Sequence, residues 1–283
     1  MARAAGIVLA GGRSSRMGTP KAALEWHGST LLRHVVGVVR RSVDGPVVVV
    51  RAPGQTLPPL PAGVEVVEDA REGRGPLQGL AAGLVAVRDR AEGAYASSTD
   101  VPLLHPRFIR RVLAALDDDV DVVLPEVGGF RHTLAAAYRT EIVDVVERLI
   151  AEDRMRPAFL FEACRVRRLD ADALLADPAL AAIDPDLDSL LNLNEPAEYE
   201  AARARRAPEV AVRVLGTLRA ASAGGDDPAV VAAATVGQAA AASGLNLDGH
   251  VVVFLNGEPI TRDPHMPLAA GDVVSFRDAE AGD

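Results

Sequence analysis

The chain has 283 residues, 49% of them hydrophobic and 24% charged. That is enough apolar content for a sizeable packed core, and it excludes disorder as the main state. A formal net charge of −9 supplies no long-range positive field, which argues against a nucleic-acid-binding or anionic-membrane surface.

No apolar run approaches the roughly 18 residues of a membrane span. The run Ile7-Val8-Leu9-Ala10 is also too short for the apolar region of a secretory signal. Cys164 is the single cysteine and cannot form an internal disulfide, so a reducing cytoplasm is the expected compartment. Ile7-Val8-Leu9 reads as a first buried strand, followed by a glycine-containing loop. Ser29 or Thr30 can then cap a helix whose apolar positions Leu31, Leu32, Val35, Val36 and Val39 recur at helical spacing. A strand over 47–50, a strand at Val64-Glu65-Val66-Val67, a helix over 76–87, a strand over 94–97, a helix over 106–116 opened by proline, and a strand over 120–124 follow. The Gly128-Gly129 turn and the segment 133–138 suggest a hairpin that adds an antiparallel strand. Strands alternating with crossover helices predict an α/β, Rossmann-like domain with a mostly parallel sheet.

From Arg203 the pattern changes. Arg203-Ala-Arg-Arg-Ala-Pro208 ends a helix, and Glu209-Val-Ala-Val-Arg-Val-Leu215 alternates like a half-exposed strand. An Ala/Val-rich helix is expected over 228–243, then a strand over 251–255, a turn at Asn256-Gly257 and a last strand over 273–276. These define a small α+β domain over 207–283 beside a larger one over 1–206. The small domain is the acidic one, with 10 Asp and Glu against 4 Arg.

Of the 30 cationic residues, 29 are arginine and one is lysine, Lys21. An ammonium is a compact point charge where a guanidinium is a broad planar fork, so a lone lysine marks a position where arginine does not fit the chemistry. It closes the segment Leu9-Ala-Gly-Gly-Arg-Ser-Ser-Arg-Met-Gly-Thr-Pro-Lys21, which leaves the carboxyl end of the first strand, where open α/β sheets bind ligands. Gly11 and Gly12 let backbone N–H groups approach phosphate oxygens, and Arg13, Arg16 and Lys21 can supply positive charge. Neither the Walker A spacing nor G-x-G-x-x-G is present. Asp100, at a strand end and followed by Val-Pro, is placed to point into the sheet crevice. Magnesium typically takes one or two protein carboxylates together with phosphates and water.

The opening segment resembles that of nucleotidyltransferases of the molybdenum cofactor guanylyltransferase type. So do Glu68-Asp69 with Gly75-Pro-Leu-Gln-Gly79, Ser98-Thr-Asp-Val-Pro102, and Asn192-Leu-Asn-Glu-Pro-Ala-Glu-Tyr199. The resemblance covers residues 4 to about 203. It implies Mg²⁺-dependent transfer of GMP from GTP to molybdopterin, with Leu9, Ala10, Gly11 and Gly12 bracketing the nucleotide and Lys21 on its phosphates. Asp69 would read the base or ribose, Asp100 would hold the metal, and Arg16, Lys21 and Asp100 would carry the catalysis. His132, Asn192 and Asn194 fall on the acceptor side. The family tends to show an asparagine shortly after the second strand, where this chain reads Arg51-Ala-Pro53. Transfer of CMP, or of a nucleotide to another phosphorylated metabolite, is the alternative reaction. A non-catalytic adaptor is the alternative of another class.

Phe254-Leu-Asn-Gly-Glu-Pro-Ile260 and Pro267-Leu-Ala-Ala-Gly-Asp-Val-Val-Ser-Phe276 resemble the ubiquitin-like β-grasp sulfur carriers of molybdopterin and thiamine synthesis. Those carriers end in Gly-Gly, whereas this chain ends Ala279-Glu-Ala-Gly-Asp283. A docking or structural role, with a partner for the acidic domain, is therefore expected in place of sulfur transfer.

Overall fold

The structure is a computed structural model that describes residues 3–11, 20–69, 73–221 and 228–279. It divides into two compact units, 1–24 with 30–199, and 25–29 with 200–283. Residue 207, the boundary expected from sequence, falls within the second of these.

In chain order the elements are β1 (Ala4–Leu9), β2 (Glu25–Trp26), β3 (Ser29–Thr30), α1 (Leu31–Arg40), β4 (Val47–Arg51), β5 (Glu65–Glu68), α2 (Pro76–Val87), β6 (Gly93–Ser98) and α3 (Pro106–Ala114). Then come β7 (Val122–Val127), β8 (Phe130–Arg131), β9 (Ala135–Arg139), α4 (Val143–Ala151), α5 (Pro157–Ala163), β10 (Val166–Leu169), α6 (Ala171–Leu175), α7 (Pro178–Ile183) and α8 (Pro196–Arg203).

The large sheet has the order β10-β7-β9-β6-β1-β4-β5, with β8 paired to β7. β6, β1, β4 and β5 run parallel to one another, while β9 is antiparallel to both its neighbours. The sheet is therefore mixed, and β9 with the short β8 accounts for the difference from a wholly parallel one. It returns through the Gly128-Gly129 turn and β8, so the chain re-enters the sheet without a crossover helix.

Apolar side chains alternate across the strands and build a layer on each face. Val8 and Val49 pack with Leu32 and Val35 of α1 and Phe108 and Ile109 of α3. Ile7, Leu9, Val48 and Val50 pack with Leu77, Leu80 and Leu84 of α2 and Val143 and Val146 of α4. The caps follow the sequence signals. Thr30 accepts from the backbone N–H of Arg33 at 3.3 Å, and the ring nitrogen Nδ1 of His105 accepts from that of Arg107 at 3.1 Å, one residue ahead of Pro106.

The second unit contains β11 (Glu209–Val214), β12 (Ala229–Ala232), α9 (Val236–Ala242), β13 (Val251–Leu255), β14 (Glu258–Ile260) and β15 (Val273–Asp278). They form a five-stranded mixed sheet of order β12-β11-β15-β13-β14. Val210, Val212, Val253, Val274 and Phe276 pack against Val236, Ala239 and Ala240 of α9. The helix expected over 228–243 is a strand followed by a shorter helix. Val230 and Val231 extend antiparallel to β11, and the Thr235 side chain caps the helix by accepting from Gln238 N–H at 3.3 Å. β-branched side chains and a sheet edge to pair with outweigh the helical preference of the surrounding alanines. Asn256 and Gly257 both have positive φ, as the tight β13–β14 turn requires. The Asn256 carboxamide ties this turn to the next by donating to Asp272 (2.9 Å) and accepting from Val273 N–H (2.8 Å).

Candidate nucleotide site

β1, β4, β5 and β6 end at Leu9, Arg51, Glu68 and Ser98, so their carboxyl ends share one edge of the sheet. A cavity of about 420 Å³ lies there, lined among others by Leu9, Gly11, Asp69, Gly75, Gly79 and Asp100. The volume falls within the range of small-molecule sites, and the position is where open α/β sheets bind their ligands.

One wall is the start of α2. Gly75 caps the helix with φ near 90°, and Pro76 takes the first helical position. The N-terminal N–H groups of a 12-residue helix therefore open toward the cavity with their partial positive charge. Gly79 and Gly83 let α2 lie close on β1. A Cβ at Gly79 would stand 3.1 Å from Leu9 Cδ2 and 3.8 Å from Asp69 Oδ2, and one at Gly83 would stand 2.4 Å from Ile7 Cγ2. Gly79 in the Gly75-Pro-Leu-Gln-Gly79 segment is thus a packing requirement.

Asp100 is held from several sides. The buried Thr99 hydroxyl donates to the Leu9 carbonyl at 3.0 Å. Leu193 N–H donates to the Asp100 carbonyl at 2.8 Å, and buried His34 bonds the Pro102 carbonyl through Nε2 at 2.9 Å. The Asp100 carboxylate faces Lys21 Nζ at 2.8 Å, and both side chains are 20% exposed. Lys21 Nζ also donates to Asn194 Oδ1 at 3.4 Å. Glu198 fixes Asn194 in turn, because its carboxylate accepts from the N–H groups of Asn194 (2.6 Å) and Glu195 (2.9 Å) at the start of α8, half of a capping box. Those two donors, with Lys21 nearby, hold the Glu198 carboxyl below its ordinary range.

The structure therefore brings together Lys21, Asp100 and Asn194, residues 79 and 173 positions apart from the lysine. Leu9, Gly11, Asp69 and Asp100 share the cavity wall. Leu9 and Ala10 spend their carbonyls internally, Leu9 on Thr99 and Ala10 on Gln55, while Ala10 N–H donates to Val50 at 2.8 Å. Gly11 N–H has no partner among the described residues. Gly12 and Arg16, along with Arg13, lie outside the described residues.

Ala10, Lys21, His132, Asn192 and Asn194 are not among the residues lining the cavity. His132 is half-buried in the segment between β8 and β9, with Nε2 3.4 Å from the Val127 carbonyl. Burial pushes its pKa down, against the smaller opposite effect of that carbonyl. Cys164 is also half-buried, and burial raises its thiol to about 11, which keeps it protonated at neutral pH.

Arg51, where the sequence departs from the family pattern, lines the cavity with its guanidinium already paired. Its guanidinium donates to Glu68 Oε1 at 2.8 Å and to the Gln55 carbonyl at 3.1 Å. Alternation along β4 puts it on the face of Val49, the α1 side, while Val50 and Leu9 face α2. Arg165 pairs with Asp121, Arg167 with Asp117 and Arg168 with Glu126.

Sequence reasoning missed Thr99, Glu198 and Gln55. The first two sit inside motifs it singled out, and the Glu195-to-Glu198 spacing before a helix is a readable capping signal. Gln55 carries no local signal, because its partner Ala10 is 45 residues away.

A lysine paired with a carboxylate beside a cavity at the ends of parallel strands is the geometry of the site. The chain belongs to the MobA-like NTP transferase domain family, which it matches over residues 6–166. It is 35% identical over 207 residues to a probable molybdenum cofactor guanylyltransferase of Mycobacterium avium, across 72% of this chain and 96% of that protein. In fold it is similar to the molybdopterin-guanine dinucleotide biosynthesis protein A of Archaeoglobus fulgidus, with a TM-score of 0.55 at 20% identity, covering 70% of this chain and 96% of that one. It is also similar to the 2-C-methyl-D-erythritol 4-phosphate cytidylyltransferase of Thermus thermophilus, with a TM-score of 0.51 at 18% identity, covering 72% and 98%. The protein is a nucleotidyltransferase.

Proposed function

We propose that the protein transfers GMP from GTP to the phosphate of molybdopterin, releasing pyrophosphate and giving the guanine dinucleotide form of the cofactor. The observation that carries this reading is the meeting of Lys21 and Asn194 with Asp100, which lines the cavity over the strand ends, in a chain that belongs to a family of nucleotidyltransferases.

In this reading the N–H groups of Gly11 and Gly12 and the start of α2 receive phosphate oxygens, and Lys21 neutralises charge as pyrophosphate leaves. Arg16 adds a second cation, and Asp69 addresses the base or ribose from the cavity wall. His132, Asn192 and Asn194 would serve the acceptor side. The acceptor phosphate, with a second pKa near 6, is mostly a dianion at neutral pH, so no histidine base is required. In-line positioning and charge neutralisation are the protein's main tasks.

Asp100 suits Mg²⁺. No group of three or more metal-binding side chains occurs among the described residues, and one carboxylate completed by phosphates and water is the usual magnesium arrangement. When bound there, the ion would offset charge on the triphosphate.

The residues 207–283 are proposed to form a ubiquitin-like β-grasp domain after a nucleotidyltransferase domain over 1–206. The single α9 packed on a five-stranded mixed sheet supports this. Its acidic balance, with 10 Asp and Glu against 4 Arg, suits docking on a basic partner surface. A reducing cytoplasm suits a chain with one cysteine.

The test is to incubate the protein and Mg²⁺ with molybdopterin and GTP, CTP or ATP in turn, then identify the product by mass. The guanine dinucleotide from GTP is the expected product. A cytosine dinucleotide from CTP, or no dinucleotide from any of the three, would overturn the reading.

A further inference from the structure

Gln55 lies in the turn after β4 and uses both ends of its carboxamide. Nε2 donates to the Ala10 carbonyl at 2.9 Å, and Oε1 accepts from Ala52 N–H at 3.0 Å. Its own N–H donates to the Ala52 carbonyl at 3.1 Å, and its carbonyl accepts from Arg51 at 3.1 Å.

The carboxamide thereby links the end of β1 to the turn beyond β4 just where both reach the cavity. Gly11, next to Ala10, lines that cavity together with Arg51 and Ala52. Gly11 and Ala52 are close enough that a Cβ on Gly11 would stand 3.4 Å from Ala52 N. One side chain that is donor and acceptor at once therefore sets the spacing of two wall segments, and with it the aim of the free Gly11 N–H.

We propose that Gln55 is a positioning residue for nucleotide binding, acting through Ala10 and Ala52 on the Gly11 backbone. This rests on the reading of the cavity as the nucleotide site. Gln55 touches no reacting atom in this account, so its loss acts on binding more than on the chemical step.

Two variants separate positioning from mere support. Gln55→Met keeps the length and loses both bonds. Gln55→Glu keeps the acceptor for Ala52 N–H. Its neutral carboxyl can also donate to the Ala10 carbonyl, whereas its ionised form cannot and sets a negative oxygen against that carbonyl. Turnover with GTP, and GTP affinity by calorimetry in Mg²⁺, would be measured for both variants beside the unaltered protein between pH 8 and pH 5.

Gln55→Met is expected to raise KM for GTP about tenfold, as for one lost satisfied hydrogen-bonding group, with kcat within about twofold. Gln55→Glu is expected to bind GTP weakly at pH 8 and to approach the unaltered protein as the pH falls and its carboxyl gains a proton. The proposal is overturned if KM is unchanged in Gln55→Met. It is equally overturned if kcat and thermal stability fall together without a selective rise in KM, or if the affinity ratio of Gln55→Glu to the unaltered protein does not change with pH. If the unaltered protein itself binds no GTP, the nucleotide reading fails and this proposal fails with it. GTP binding that is retained by the unaltered protein and equal in both variants overturns this proposal alone.

Discussion

Lys21 and Asp100 neutralise one another at the cavity, and each is specified by what surrounds it. Thr99, Leu193 and the His34–Pro102 bond fix Asp100, while Asn194 shares the ammonium. Neither side chain belongs to an apolar cluster, so removing either should spare the fold. Lys21→Ala and Asp100→Ala are each expected to lower transfer about 10²- to 10³-fold, the usual effect of deleting one preorganised electrostatic contact. Circular dichroism of both variants should match the unaltered protein. Lys21→Arg should also be impaired, since a planar fork cannot take the place of a point charge 2.8 Å from one carboxylate oxygen. Near-full turnover in any of these folded variants would contradict the roles assigned. At this scale the sequence was informative where chemistry is local, as in the lone lysine and the Ser98-Thr-Asp-Val-Pro102 segment. It was silent on Gln55, whose role exists only once β1 and β4 lie side by side.

At the scale of elements, α2 shows how a glycine spacing becomes a site wall. Gly83→Ala would drive a methyl group to 2.4 Å from the fully buried Ile7 side chain, which must move within a closed layer. Overpacking of this kind typically costs about 1–3 kcal/mol, partly offset by alanine's helix preference of about 1 kcal/mol over glycine. A lower unfolding midpoint in urea is expected. Gly79→Ala meets Leu9 at a milder 3.1 Å beside Asp69 and should raise KM for GTP more than it lowers stability. The reverse order of effects would show that α2 does not form the nucleotide wall. Helix 76–87 was legible because proline opens it and apolar residues fill it. The segment 228–243 misled because its alanines conceal that Val230-Val231 has a sheet edge to pair with, while Thr235 begins a separate helix. The elements over 140–200 carried no distinct reading, being short helices and the four-residue strand β10, whose order depends on long-range packing.

For the whole molecule, each unit contains a half-buried histidine whose pKa is pushed down chiefly by burial, His132 in the first and His27 in the second. The unfolded chain then binds more protons than the folded one below the ordinary histidine pKa of about 6.5. Stability should therefore fall as pH drops from 7 toward 5. His132→Gln should flatten that slope in calorimetric scans, and an unaltered slope would remove His132 from the explanation.

The second unit also includes residues 25–29. Gln238 donates to the His27 carbonyl at 2.9 Å, His265 Nδ1 lies 2.9 Å from the Gly28 carbonyl, and Arg203 pairs with Glu25 at 2.7 Å. A chain ending at Arg206 lacks Gln238 and His265. The emission of Trp26, the single tryptophan and only 3% exposed, should then shift to longer wavelength. Unchanged emission would show that those bonds do not hold the segment.

The proposed reaction moves a nucleotidyl group, not a terminal phosphate, from GTP to the pterin. It is tested most directly with GTP labelled at its α or its γ phosphorus, incubated with the protein, Mg²⁺ and molybdopterin. The α label is expected in the pterin product and the γ label in pyrophosphate. A γ label on the pterin, or both labels left on unreacted or merely hydrolysed nucleotide, would contradict the account.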